Sequence, residues 1–129
     1  MGVEPLLGNS EIVAFVGVRN AHAARNFYRD TLGLRLVSED GFALVFDANG
    51  TMLRVTIVPE VKPAGYTVLG WQVSDIIATV NHLNARSIEF QRYAGLNDRE
   101  ELGIWTSPSG ARIAWFKDPD GNVLSITQF

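Results

Sequence analysis

Residues 115–129 read Trp115-Phe116-Lys117-Asp118-Pro119-Asp120-Gly121-Asn122-Val123-Leu124-Ser125-Ile126-Thr127-Gln128-Phe129. An apolar run meets a tight turn, and a strictly alternating run follows, with Val123, Ser125 and Thr127 on one face and Leu124 and Ile126 on the other. This pattern predicts a β-hairpin. Asp118-Pro119-Asp120-Gly121 supplies what a type I turn favours: Asp first, Pro presetting φ second, Gly fourth. Taken alone, such a turn reads as a plain surface bend, so the rest of the chain decides whether it means more.

The chain has 129 residues, enough for one compact domain with a real core. Its 47% hydrophobic and 19% charged content is that of a soluble globular protein, and a net charge of −3 gives no footprint for nucleic acid or membrane. There is no cysteine, which excludes disulfides, thiolate metal sites and a cysteine nucleophile. Two histidines leave little room for serine-histidine catalysis. Met1 to Gly8 has neither a basic segment nor an apolar core of signal length, Leu6 spoils a myristoylation pattern, and no stretch approaches a membrane span. A cytoplasmic location is the expectation.

Ile12 to Val18 is a continuous apolar run of strand length, as expected of a central strand covered on both faces. Asn20 is placed to cap a helix whose Ala24, Phe27, Tyr28 and Leu32 form one stripe, with Gly33 at its C-terminal stop. Leu34 to Val37, Phe42 to Phe46 and Met52 to Val58 read as three strands, the last two joined by an Asn49-Gly50 turn. After a connector at 59–65 the order recurs. Val68 to Val73 reads as a strand, Asp75 as a cap, and Ile76, Val80 and Leu83 as a helical stripe ending near Arg86. Val18 to Val73 and Asn20 to Asp75 are each separated by 55 positions, so the strand-cap-helix unit repeats in register. Ile88 to Tyr93, a segment around Gly103 to Thr106, Ala111 to Lys117 and Asn122 to Thr127 supply the remaining strands. Residues 94–110 have no counterpart in the first half, and Asp98-Arg99-Glu100-Glu101 reads as a solvated loop.

Asn26-Phe27-Tyr28-Arg29-Asp30-Thr31-Leu32-Gly33-Leu34 together with Asp118-Pro119-Asp120-Gly121-Asn122 resembles the vicinal oxygen chelate superfamily, which groups glyoxalase I, extradiol dioxygenases, and the bleomycin and fosfomycin resistance proteins. The resemblance spans about Glu11 to Thr127. It implies an α+β fold of two tandem βαβββ modules whose mixed sheets curve into a cup, within a single domain over 1–129. Module one covers about 11–58, the connector 59–65, and module two about 66–128. A homodimer is implied by the resemblance alone.

Enzymatic members of the superfamily hold one divalent metal in the cup, on His, Glu or Gln, as a Lewis acid for adjacent substrate oxygens. Carried over from the motifs, the four ligand places fall at Val13, at Arg54 or a neighbour, at Val68 and at Ser125. Valine offers no lone pair, arginine repels a cation, and serine is a weak ligand. A slip of two residues in the first strand offers Glu11 or Phe15 but gathers no set of four. His22 and His82 fall on the outward sides of their helices by the stripe geometry. The expectation is a member without metal or other cofactor.

By alternation, Phe15 and Gly17 share the face of Val13, Met52 and Thr56 that of Arg54, and Gly70 and Gln72 that of Val68. Tyr93, Trp105, Arg112 and Trp115 are further candidates for rim or wall. The expected ligand-binding residues are therefore Phe15, Arg54, Thr56, Gln72, Tyr93, Trp105, Trp115 and Ser125, with no catalytic residue assigned. The same apolar lining would also serve as a second core or a dimer contact. Arg54 on an inward face calls for an anionic or π-rich partner, a salt bridge to a carboxylate such as Asp47, or solvent. Four functions follow: a metal-free binder of a small neutral or anionic organic molecule; a metal-dependent lyase or dioxygenase of the glyoxalase I type; a metal-free enzyme using Arg54, Gln72 or Tyr93 on an oxyanion; or a structural module. The missing ligands favour the first. An acidic groove for cationic drugs is not part of the lining.

Overall fold

The computed structural model describes residues 5–129, so the reading of Met1 to Glu4 within a non-signal start lies outside the described residues. Strand β1 (Val13–Val18) leads to helix α1 (Ala21–Arg25), which continues as a π-helical segment, Asn26–Thr31. Strands β2 (Arg35–Glu39), β3 (Ala43–Ala48) and β4 (Thr51–Ile57) complete a sheet of order β1-β4-β3-β2. The second half repeats the plan with β5 (Leu69–Gln72), α2 (Ile76–Ala85), β6 (Trp105–Thr106), β7 (Arg112–Lys117) and β8 (Val123–Gln128), in the order β5-β8-β7-β6. In each sheet the first strand runs parallel to the last, and the other pairs are antiparallel. The α+β fold with two four-stranded mixed sheets is as the sequence led us to expect.

Local signals place these elements. The side-chain oxygens of Asn20 and Asp75 each accept a 3.0 Å hydrogen bond from a backbone N–H three residues on, at Ala23 and Ala78. Gly33, at φ +78°, ends the first helix where an L side chain would be strained. Within that helix, the Leu32 N–H donates to the Phe27 carbonyl, five residues back. Adjacent residues Phe27 and Tyr28 are both buried there. Phe27 reaches Phe116 of β7 at 6.4 Å between ring centroids, and Tyr28 reaches Phe46 of β3 at 6.0 Å. One helix thus binds both sheets into one core. On the second sheet, Ile76 and Val80 of α2 are fully buried.

The first-helix motif and the final turn meet at a buried carboxylate. The Tyr28 hydroxyl donates to Asp118 Oδ2 at 2.8 Å, and Asn122 Nδ2 donates to the same oxygen at 2.8 Å. Asp118 Oδ1 accepts from the Asp120 and Asn122 backbone N–H groups, both at 2.9 Å. Asn122 Nδ2 also donates to the Gly17 carbonyl at the end of β1, at 2.8 Å. Four donors compensate the desolvated charge of Asp118, and the same bonds hold β1, the helix and the last hairpin together. Burial, reinforced by the neighbouring Asp118 charge, pushes the Tyr28 phenol above its ordinary range.

Three expectations need correction. Strand β1 is at the edge of its sheet, not the centre, and only one of its faces is covered. Ile88 to Tyr93 forms no strand: Ile88 N–H goes to the Leu83 carbonyl and Tyr93 N–H to Asn97 Oδ1, which leaves Gln91 N–H to the Trp115 carbonyl of β7 as an isolated sheet-type bond. The stretch 94–110 is not merely solvated. Asn97, 2% exposed, donates through Nδ2 to the Gln91 and Gly103 carbonyls and so clasps the loop, while Ile104 enters the core. No helix among the described residues is long and apolar enough to cross a membrane.

Candidate functional site

The pleat sends alternate side chains of each sheet either into the core or onto an open face. In the first sheet Val16, Val18, Leu53 and Val55 are buried. Their neighbours in register face out: Val13 opposite Met52, Phe15 opposite Arg54, and Gly17 opposite Thr56. Phe15 is 62% exposed, a large cost in apolar hydration if nothing covers it. Arg54 also lies beside Val45 of β3. The ion pairs among the described residues are Arg19–Asp120, Arg25–Glu39, Arg29–Asp30 and Arg35–Asp47, so half-buried Arg54 has none. Asp47, one carboxylate the sequence offered as its partner, is turned instead to Arg35 at 3.4 Å and to the Gly50 N–H. Asp40 feels the Arg54 charge, but its carboxyl is held below the usual range first by the backbone N–H groups of Phe42 and Ala43.

In the second sheet Ala114 and Phe116 fill the core, which puts Trp115 on the open face, opposite Ser125. Ser125 lies in turn opposite Gly70, and Gln72 opposite Thr127. A side chain at Gly70 would come within 3.0 Å of Ser125 Oγ, so the glycine keeps the approach to that hydroxyl clear. Tyr93 meets Trp115 edge-to-face, with centroids 5.6 Å apart and planes at 83°, and Trp105 packs against it from β6 at 6.1 Å. Arg112 takes the core-facing register at the outer end of β7 and does not join this group.

The eight expected residues thus fall into two sets. Phe15, Arg54 and Thr56 share the first sheet, whereas Gln72, Tyr93, Trp105, Trp115 and Ser125 share the second. Two hollows lie near them; of the eight residues none lines the first, and only Tyr93 and Trp115 line the second. One of about 270 Å³ lies on the first sheet between Val13, Val37, Val45 and Met52, with Arg35 and Asp47 at its edge. Another, of about 410 Å³, lies between Tyr66, Thr67, Tyr93, Leu96, Trp115 and Val123. Both are of the order of small-molecule sites, which span ~300–1,000 Å³. Tyr66 and Leu96 were not expected. Neither belongs to a periodic element, and the only signal in the sequence was a large aromatic directly after the turn-forming Pro63-Ala64-Gly65.

The donor chemistry does not fit the divalent metal that enzymatic relatives hold. The places the resemblance assigns, Val13, Arg54 or a neighbour, Val68 and Ser125, lie on β1, β4, before β5 and on β8. None carries a carboxylate or imidazole. Among the described residues no three His, Asp or Glu side chains cluster to hold an ion. His22 and His82 are exposed on their helices, and the His22 ring faces Asn26 at 3.2 Å.

Comparison with known proteins agrees with this architecture. Residues 12–126 match the family model described as Glyoxalase/Bleomycin resistance protein/Dioxygenase superfamily. No curated protein matches the chain in sequence at a significant level. Among solved structures, a glyoxalase family protein from Enterococcus faecalis is 21% identical with a TM-score of 0.74, covering 93% of this chain and 98% of its own. A lactoylglutathione lyase from Agrobacterium tumefaciens is 19% identical with a TM-score of 0.71, covering 92% and 93%. A superfamily member from Sphaerobacter thermophilus is 24% identical with a TM-score of 0.68, covering 92% and 97%. At these identities the likeness concerns the fold.

Proposed function

Because the chain belongs to the Glyoxalase/Bleomycin resistance protein/Dioxygenase superfamily, and because its residues at the ligand places lack metal donors, we propose that it is a metal-free binder of a small neutral or anionic organic molecule held on the open face of its sheets. The observation that carries this reading is Arg54. A half-buried guanidinium without an ion pair to a described residue stands at or next to a place where the resemblance puts a His, Glu or Gln ligand, opposite the exposed ring of Phe15. A cation there is repelled, while a carboxylate or other planar anion gains a charge-assisted, bidentate partner. Thr56 adds a hydroxyl along the same face.

In this reading a second copy of the chain covers the open faces. Val13, Phe15 and Met52 on the first sheet and Val68 beside the second are all at least 40% exposed, apolar surface that a partner would cover. A cytoplasmic setting remains part of the reading on composition alone. The test uses 2-naphthoate, a planar carboxylate, titrated into wild type and Arg54→Ala with circular dichroism as the fold control. Losing one charge-assisted contact should weaken binding about tenfold or more. Equal affinity in a folded variant would remove Arg54 from the site.

A further inference from the structure

The hollow on the second sheet differs from the Arg54 face in kind. It is bounded by the rings of Tyr66, Tyr93 and Trp115 and by Leu96, Thr67 and Val123, and no charged side chain lines it. We infer that this hollow is a separate binding position for an uncharged planar ring system, with its far wall supplied by the loop that only the second half of the chain possesses. The inference rests on the proposed function only in taking the open face as the ligand side.

Three observations support it. The wall is built rather than incidental: Asn97 accepts the Tyr93 N–H at 2.7 Å and donates to the Gln91 and Gly103 carbonyls, so Tyr93 and Leu96 are fixed by a side chain that is itself buried. The Glu100 carboxylate closes the other end of the loop on the Leu102 and Ile104 N–H groups. Next, Trp115 is gripped by Tyr93 and Trp105, so it meets a ligand as a fixed surface and loses little entropy on binding. Last, Val123 of β8, 6% exposed, lines the same hollow, so its wall is apolar as well as uncharged; Ser125, opposite Trp115 in register, is not part of that lining. A lining of rings without charge favours a neutral π-system over an anion, which Arg54 serves better. It also lacks the carboxylate that would add Coulomb attraction for a cation.

The experiment is ligand-observed ¹⁹F NMR with 6-fluoroindole as the neutral probe and 4-fluorobenzyltrimethylammonium as a cation of similar size, on wild type, Tyr66→Ala and Leu96→Arg. Tyr66 and Leu96 are 72% and 43% exposed, so neither change endangers the core. Saturable binding of 6-fluoroindole is expected, weakened about three- to tenfold by Tyr66→Ala and lost in Leu96→Arg, with the cation binding more weakly than the neutral probe. No saturable binding, binding indifferent to both variants, or preference for the cation would each overturn the inference. Failure here leaves 2-naphthoate binding at Arg54 untouched, and failure of Arg54→Ala to matter leaves the indole result standing.

Discussion

Removing the Tyr28 hydroxyl would leave the buried Asp118 carboxylate one donor short. Tyr28→Phe should lower the unfolding free energy by about 1.5–3 kcal/mol, the range for a hydrogen bond to a charged group, as read by urea denaturation with an unchanged slope. The pH dependence has a definite sign. The folded state holds the phenol proton above the ordinary value of 10.0, so this contribution is complete below about pH 10 and is lost as pH rises further, where the unfolded chain ionises first. Alkaline destabilisation should be shallower in Tyr28→Phe than in wild type. Both partners were legible in the sequence as parts of two motifs, but the bond between positions 90 apart was not. Local patterning gives each motif's shape; only the packed core shows that one side chain completes the other. Ser125, Val13 and Val68 were singled out in the sequence only through the resemblance; alternation with the buried Leu124 and Ile126 then puts Ser125 on the face away from the core.

Elements with local causes were the most legible. The caps at Asn20 and Asp75, the Asn49-Gly50 turn with φ +50° and +91°, and the last hairpin all form where their residue chemistry put them. The segment 88–93 was misread because its β-like composition says nothing about Asn97, whose buried side chain takes the Tyr93 N–H away from any sheet. Asn97→Ala should therefore cost about 2–4 kcal/mol, since three backbone groups lose their partner at once, and should raise hydrogen exchange in 91–104 more than elsewhere. The final turn offers a second test. Gly121 stands at φ +85°, and a Cβ there would lie 3.2 Å from Pro63 Cγ of the connector. Gly121→Ala should cost about 1–2 kcal/mol in thermal or chemical denaturation.

At the scale of the whole molecule, buried residues from both halves form one cluster, from Val16 and Phe46 through Phe27 to Phe116 and Ile126. Unfolding should then be a single cooperative transition by fluorescence and circular dichroism alike. The edge position of β1 has a consequence at this scale. Its apolar outer face, which made it look like a central strand, is the face left exposed in the single chain. Light scattering should accordingly give twice the chain mass, and Phe15→Glu should shift it toward one. The most direct test of metal-free binding is metal analysis of protein purified without chelator, together with thermal shifts on adding Ni²⁺, Zn²⁺, Mn²⁺ or Fe²⁺. Val13, Arg54, Val68 and Ser125 predict far less than one metal per chain and no stabilisation by any of the four ions. Stoichiometric bound metal, with a matching rise in melting temperature, would contradict it.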